Sequence, residues 1–290
     1  LARIRYFEEH VKDDPECTGF DPKNVLSVDM KDLNLNQELI GLPRPLFEPK
    51  TLTLSKSSLE TYDKCPYMFQ LSKLERTPTP SNVFLDLGSS IHNMIEDVSQ
   101  DTGKIPKKDE AITKLKEKWI FKSYQSGSTE NTFWKRAEQM TENYLNWRNT
   151  NKNKLIESEM DFDFEYEGVT INGRIDWLEE NPNGDYEVVD FKTGKTAVSS
   201  AAAEEDWQLN VYAKAIEEKY GKLPVKASLY FLDPNKKVEF TVDKKKVDKV
   251  LDEKIKPIIK KILSGNFTAK PEQFKCRDCS YKDMCNESLA

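Results

Sequence analysis

Three observations predict an α/β or mixed fold. Helical periodicity dominates from Ser57 as far as Trp147, strict apolar and polar alternation takes over in DFDFEYEGVTINGRIDWLEE, and a further amphipathic stretch then separates two strand-like runs as a crossover helix would. The expected architecture is a central mixed sheet flanked by helices.

Taken in order, residues 1–50 mix Asp, Asn and Pro with few periodic apolar positions. They end in GLPRPLFEPK, whose prolines disfavour helix, and so read as a connector or the tail of an upstream region ahead of a domain over 51–290. The chain begins with leucine, which fits a piece of a longer polypeptide. A helix is expected from Ser57, because Ser57 and Glu60 form the S-x-x-E capping pattern and Leu59, Tyr62 and Phe69 follow at roughly helical spacing. Further helices fit 88–98, 111–124 and 132–147. The alternating run and YEVVDFKTG read as strands, the last two joined as a hairpin with Asn183-Gly184 in the turn. A helix over 204–220, strands at KASLYFL and KVEFTV, and a lysine-rich helix over 244–263 complete the pass. No internal repeat is visible.

Composition sets limits on class. At 290 residues, 37% hydrophobic and 32% charged, with aromatics spread along its whole length, the chain can bury a sizeable core. It contains no run of about 18 apolar residues, and its first ten, LARIRYFEEH, carry charges where a signal peptide would be apolar. A cytoplasmic protein with no membrane partner is expected. The net charge of -6 argues against wholesale wrapping of nucleic acid. Between Asp243 and Lys275, however, ten lysines face five acids, which is either a local basic surface or the solvated face of an amphipathic helix.

The chemistry concentrates in YEVVDFKTGK, residues 186–195. A strand has period two, so Asp190 and Lys192 project from one face while Phe191 points to the other. Asp176 lies fourteen residues earlier across the expected hairpin. Two carboxylates and an ammonium at one strand end suit a hydrolytic magnesium site, with the Phe191 carbonyl as a further oxygen ligand. By itself D-x-K describes a surface cross-strand ion pair equally well.

The wider constellation is more specific. Asp176, then DFKTGK over 190–195, then Gln208 and Tyr212 in WQLNVYAKA, resemble the PD-(D/E)XK nucleases of the RecB-like family, whose upstream helical histidine after a glycine is matched by His92 in GSSIHNMIE. The resemblance spans roughly residues 52–288. It implies a restriction-endonuclease-like α/β core and a deoxyribonuclease dependent on Mg2+ or Mn2+. His92, Asp176, Asp190 and Phe191 would be its metal ligands, and Lys192 would orient or activate water. Gln208 and Tyr212, four apart on one helix face, would support the site or contact the DNA backbone. No proline precedes either aspartate, a position this family leaves loose.

Five cysteines occur, and Cys276, Cys279 and Cys285 form C-x-x-C followed by a third thiol in KCRDCSYKDMC. In a cytosolic protein such thiols chelate metal, with Cys65 in YDKCPYMFQ the candidate fourth ligand; spacing alone favours zinc. A subset of RecB-like nucleases, including AddB-type proteins and CRISPR-associated nucleases, binds a [4Fe-4S] cluster through one cysteine before the nuclease core and three after it. That resemblance implies an iron-sulfur cluster here, clamping the two ends of a loop of about 210 residues. Cys17 has no assigned role. The further expectation is an exonuclease on single-stranded or unwound DNA in recombination or repair. It would serve as the C-terminal nuclease domain of a UvrD-like helicase-nuclease, with the helicase motor in cis or in trans. A stand-alone CRISPR-associated nuclease, or a DNA-binding scaffold of the same fold without catalysis, are the alternatives.

Overall fold

A computed structural model describes residues 52–78, 82–100, 103–124 and 126–290. The connector expected over residues 1–50, and Cys17 within it, lie outside the described residues. The described chain divides into two compact units at Lys270 and Pro271.

The larger unit opens with a short strand that sequence periodicity missed, β1 (Thr53–Ser55). Helix α1 (Lys56–Lys64) follows at once. Its cap is Ser55, whose hydroxyl accepts the Ser58 amide, and not Ser57; Glu60 pairs with Lys56 instead of closing a capping box. The helix breaks at Cys65, which is driven into extended geometry by Pro66, and resumes as α2 (Pro66–Phe69) with a wide turn over Gln70–Leu74. Helix α3 (Val83–Val98) starts five residues before its expected first residue because Asn82 caps the Phe84 and Leu85 amides. Helix α4 (Lys108–Glu117) stops short of the expected 124. The Ile120 and Ser123 amides leave the helical pattern to donate to Ser90 and Asp86 of α3, so tertiary bonds override local propensity. Helix α5 (Gly127–Thr150) is longer than expected and is capped by Ser126.

Six strands form one mixed sheet. The long pair β2 (Lys154–Tyr166) and β3 (Val169–Glu180) is antiparallel. It turns through Glu167 and Gly168, whose φ values of 51° and 79° give the primed turn a twisted hairpin needs. β4 (Tyr186–Lys192) returns antiparallel to the end of β3 through Asn181–Asp185, where Gly184 takes φ 82° and the Asn181 side chain accepts the Asn183 and Asp185 amides. The 204–220 region is two helices, α6 (Ser200–Glu204) and α7 (Trp207–Tyr220), separated because Asp206 caps the second; Gly221 ends it with φ 73°. This crossover leads to β5 (Lys226–Phe231), parallel to β4, and then to the antiparallel edge strand β6 (Lys236–Thr241).

The lysine-rich segment is α8 (Lys244–Val250), a wide turn over Leu251–Ile255, and α9 (Lys256–Leu263). Pro257 lacks the amide that an unbroken α-helix would use, and the wide turn just before it accommodates the loss. Lys244, Lys246, Lys249, Lys256 and Lys270 stand within 4.0 Å of Glu217, Glu204, Glu253, Glu167 and Asp63, so much of the local positive excess is neutralised.

One core lies on each face of the sheet. On one side Leu59, Phe162, Leu178, Leu209, Ile216 and Ile259 bring α1, α7 and α9 onto the strands. On the other, Ile91, Met94, Met140, Trp177, Phe191 and Tyr230 bury α3 and α5. Burial of this kind contributes about 1.5–3 kcal/mol per large apolar side chain. Among the described residues no helix is long and apolar enough to cross a membrane. The smaller unit, Pro271–Ala290, contains α10 (Gln273–Arg277) and a single tight turn over Lys282–Met284.

Candidate active site

The site forms where the sheet forks. β3 pairs with β1 over Thr170–Asn172 and with β4 only from Trp177 onward, opposite Val189. Beyond that last rung β4 stays with β5, Asp190 beside Leu229 and Lys192 beside Phe231, and leaves β3. Asp176 and Asp190 are the first residues past the parting.

The fork frees backbone groups that a continuous sheet would consume. The Lys192 carbonyl accepts from Leu232 on the β5 side, so the alternating geometry turns the Phe191 amide and carbonyl toward the open side. There the Phe191 N–H donates to Asp176 Oδ2 at 2.8 Å, and the Phe191 carbonyl lies 3.1 Å from His92 Nε2. The Phe191 ring holds the strand from below, edge-on to Tyr144, Trp147 and Trp177.

On the opposite face Lys192 Nζ lies 2.7 Å from Asp190 Oδ2 and donates to Gln208 Oε1, also at 2.7 Å. Gln208 in turn donates to the Tyr212 hydroxyl at 2.6 Å, and that hydroxyl reaches Asp190 Oδ1 at 3.5 Å. The i, i+4 pair on α7 thus closes a ring of contacts around Lys192. Lys56 of α1 adds a second ammonium 3.3 Å from Gln208 Oε1.

One residue here was not found from sequence. Glu159 sits on β2 between the rungs Ser158–Trp177 and Met160–Ile175, which sets it across from Asp176. Its backbone has φ 51°, a region a non-glycine residue seldom occupies, and its carboxylate lies 3.3 Å from His92 Nδ1. His92, Glu159 and Asp176 offer ligand atoms within 4.8 Å of one another. In the sequence Glu159 is one acid among several in ESEMDFDFE; only its backbone geometry distinguishes it.

The electrostatics are those of a crowded acidic pocket. Burial works against a charged His92 imidazole, but Asp176, Glu159 and Asp190 together push it up to about 9. Asp176 is raised far above the carboxylate range, by burial first and by the Asp190 charge second. Burial lowers the Lys192 ammonium, yet Asp190 outweighs it, so this group lies above the ordinary lysine range and is charged at neutral pH. Carboxylate oxygens, a backbone carbonyl and an imidazole brought together form a donor set that fits a hard divalent cation. The cleft over this cluster has a volume of about 410 Å3 and is also lined by Phe84, Leu85, Gly88 and Thr193.

The cysteines fall in both units. Cys65 is half-buried in the larger, and its Sγ accepts the Lys270 amide at 3.5 Å. Cys276, Cys279 and Cys285 are half-buried in the smaller, where Cys279 accepts the Tyr281 amide at 3.4 Å. None of the four is in a disulfide.

Comparison with known proteins fits this architecture. The chain is 24% identical over 268 residues to the Gene 69 protein of Mycobacterium phage D29, covering 80% of this chain and 95% of that one. It is 25% identical over 170 residues to the B component of the ATP-dependent helicase/deoxyribonuclease of Streptococcus uberis; that match covers 56% of this chain and 16% of that component. A candidate exonuclease from Eubacterium rectale superposes with a TM-score of 0.52 at 14% identity, over 82% of this chain and 89% of that one, and so shares the fold. The family profile itself covers residues 53–286: the chain belongs to the PD-(D/E)XK nuclease superfamily.

Proposed function

We propose that this protein is a metal-dependent deoxyribonuclease that hydrolyses phosphodiesters at the fork between β3 and β4. The observation that carries the reading is the convergence of Asp176, Asp190, Lys192 and the Phe191 carbonyl, with His92 and Glu159 behind them. Asp176, Asp190 and the Phe191 carbonyl, with His92 or Glu159, would hold Mg2+ or Mn2+. The bound ion would polarise the phosphate and lower the pKa of the attacking water. Lys192, a charged ammonium held by Asp190 and Gln208, orients that water and offsets charge developing on the phosphate. Tyr212 and Gln208 keep Lys192 from swinging into solvent.

Exonuclease action on single-stranded or unwound DNA, beside a helicase motor in cis or in trans, is the finer reading. It is supported by the local similarity to one component of a helicase/deoxyribonuclease. Cys65, Cys276, Cys279 and Cys285 would hold a [4Fe-4S] cluster, or zinc in its place, with a structural role. The deciding experiment digests end-labelled single- and double-stranded DNA with Mg2+ or Mn2+. Asp190→Asn and Lys192→Ala should each lower cleavage at least about a hundredfold while circular dichroism is unchanged. Cleavage by either variant near the wild-type rate overturns the mechanism, and an inert wild type bound to DNA indicates a scaffold.

A further inference from the structure

We propose that Phe84 and Leu85 form a base-binding subsite, an apolar lip on the catalytic cleft that stacks one unpaired nucleobase of the strand being cut. The proposal rests on the nuclease reading and names the form of DNA the cleft takes.

The two side chains are 65% and 59% exposed, adjacent, and part of the cleft that also contains His92, Asp190 and Lys192. A single exposed apolar residue on a surface is unremarkable, but a pair at the mouth of a charged cleft calls for an apolar ligand group. Phe84, Gly88 and His92 follow at i, i+4 and i+8 on α3, so they lie along one stripe of the helix. At about 1.5 Å per residue the lip stands about 12 Å from His92 along the axis, within reach of a nucleotide neighbouring the scissile phosphate. Gly88 leaves no side chain between them.

The ring is braced for stacking. Phe133 of α5 meets Phe84 at 5.7 Å and 66°, edge to face. Phe133 is fixed by the Arg136 guanidinium 5.1 Å from its centroid, and Arg136 by Asp233 at 2.8 Å. A ring held this way loses little freedom when a base covers it. The lip is not a phosphate site, because Asn82 already accepts the Phe84 and Leu85 amides at 3.0 and 3.1 Å. A nucleotide supplies both groups the cleft asks for, a phosphate for the charged end and a π-face for the apolar end. A base inside a duplex has both faces covered by its neighbours, so the lip selects unpaired strands, and stacking makes the selection tolerant of sequence.

The test is a cycle between protein and DNA. Single-stranded oligonucleotides, intact or with one abasic site moved position by position from the end, are bound with Ca2+ in place of Mg2+ and followed by anisotropy. For wild type, one abasic position should weaken binding on the order of five- to a hundredfold. Phe84→Ala should lose a similar factor on intact DNA and be indifferent to that abasic position, whereas Phe84→Tyr should behave as wild type. Equal losses for Phe84→Ala on intact and abasic strands, or no abasic position that matters to wild type, would overturn the subsite. Cleavage of the same strands in Mg2+ separates the two readings: a cutting enzyme with no abasic effect sinks only the lip, while an inert one sinks the nuclease.

Discussion

At the scale of single residues, Glu159 is the side chain whose importance the fold reveals. A glutamate with positive φ costs conformational energy that a glycine would avoid, and in this conformation its carboxylate lies beside His92 and Asp176. Glu159→Gln preserves shape and hydrogen bonding but removes charge. It should weaken Mn2+ binding by about 10–100-fold in isothermal titration, with the unfolding midpoint little changed. A wild-type affinity in this variant would exclude Glu159 from the metal centre. A second residue sets a pH dependence away from the site. Lys244 and Lys214 hold the Glu217 carboxyl below its ordinary value of 4.5. Because the folded value is the lower one, the unfolded chain binds more protons in that interval; the stabilisation is complete above pH 4.5 and fades as pH falls through the folded value. Wild type should therefore exceed Glu217→Gln by about 0.2–1 kcal/mol in urea unfolding at neutral pH, and the difference should vanish in acid.

At the scale of elements, the β2–β3 pair both builds the core and aligns the site. Phe162 lies across from Gly173, and a Cβ at Gly173 would meet the Phe162 ring at 2.7 Å. The ring cannot retreat freely, since Phe164 stacks on it at 6.2 Å and Tyr212 meets it edge-on at 5.8 Å. Gly173→Ala should destabilise the protein by about 1–3 kcal/mol in chemical denaturation. The displaced ring would press on Tyr212 and hence on its contact with Asp190, so activity should fall even where the protein remains folded. Unchanged stability would mean that the strand pair relaxes more easily than its packing implies.

At the scale of the whole molecule, the ligand set proposed from Cys65, Cys276, Cys279 and Cys285 draws on positions far apart in sequence. If the proposed site holds iron or zinc, replacing Cys65, Cys276, Cys279 or Cys285 by serine should each abolish that metal content and lower the melting temperature, whereas Cys17→Ser should do neither. Iron and zinc analysis with visible absorption reads both the loss and the metal's identity; equal metal in all five variants would remove the site. A ligand set spread over the chain couples metal binding to folding, which is why one substitution should act globally.

The sequence by itself determined the alternation of helices and strands, the pairing of Asp190 with Lys192 on one strand face, and the i, i+4 placement of Gln208 and Tyr212, because each depends only on a local period. It located the crossover helix for the same reason, and the Asn183-Gly184 turn from the local turn chemistry of that pair. Helix ends escaped it where distant groups captured backbone amides, as Ser90 and Asp86 do beyond Glu117. β1 was too short to show a period. The fork that separates β3 from β4, the strained Glu159 opposite Asp176, and the lip of Phe84 and Leu85 were decided only in three dimensions. Each arises from the way non-neighbouring segments pair or part, and a hydrogen bond left unmade between two strands has no signature in the residues that fail to make it.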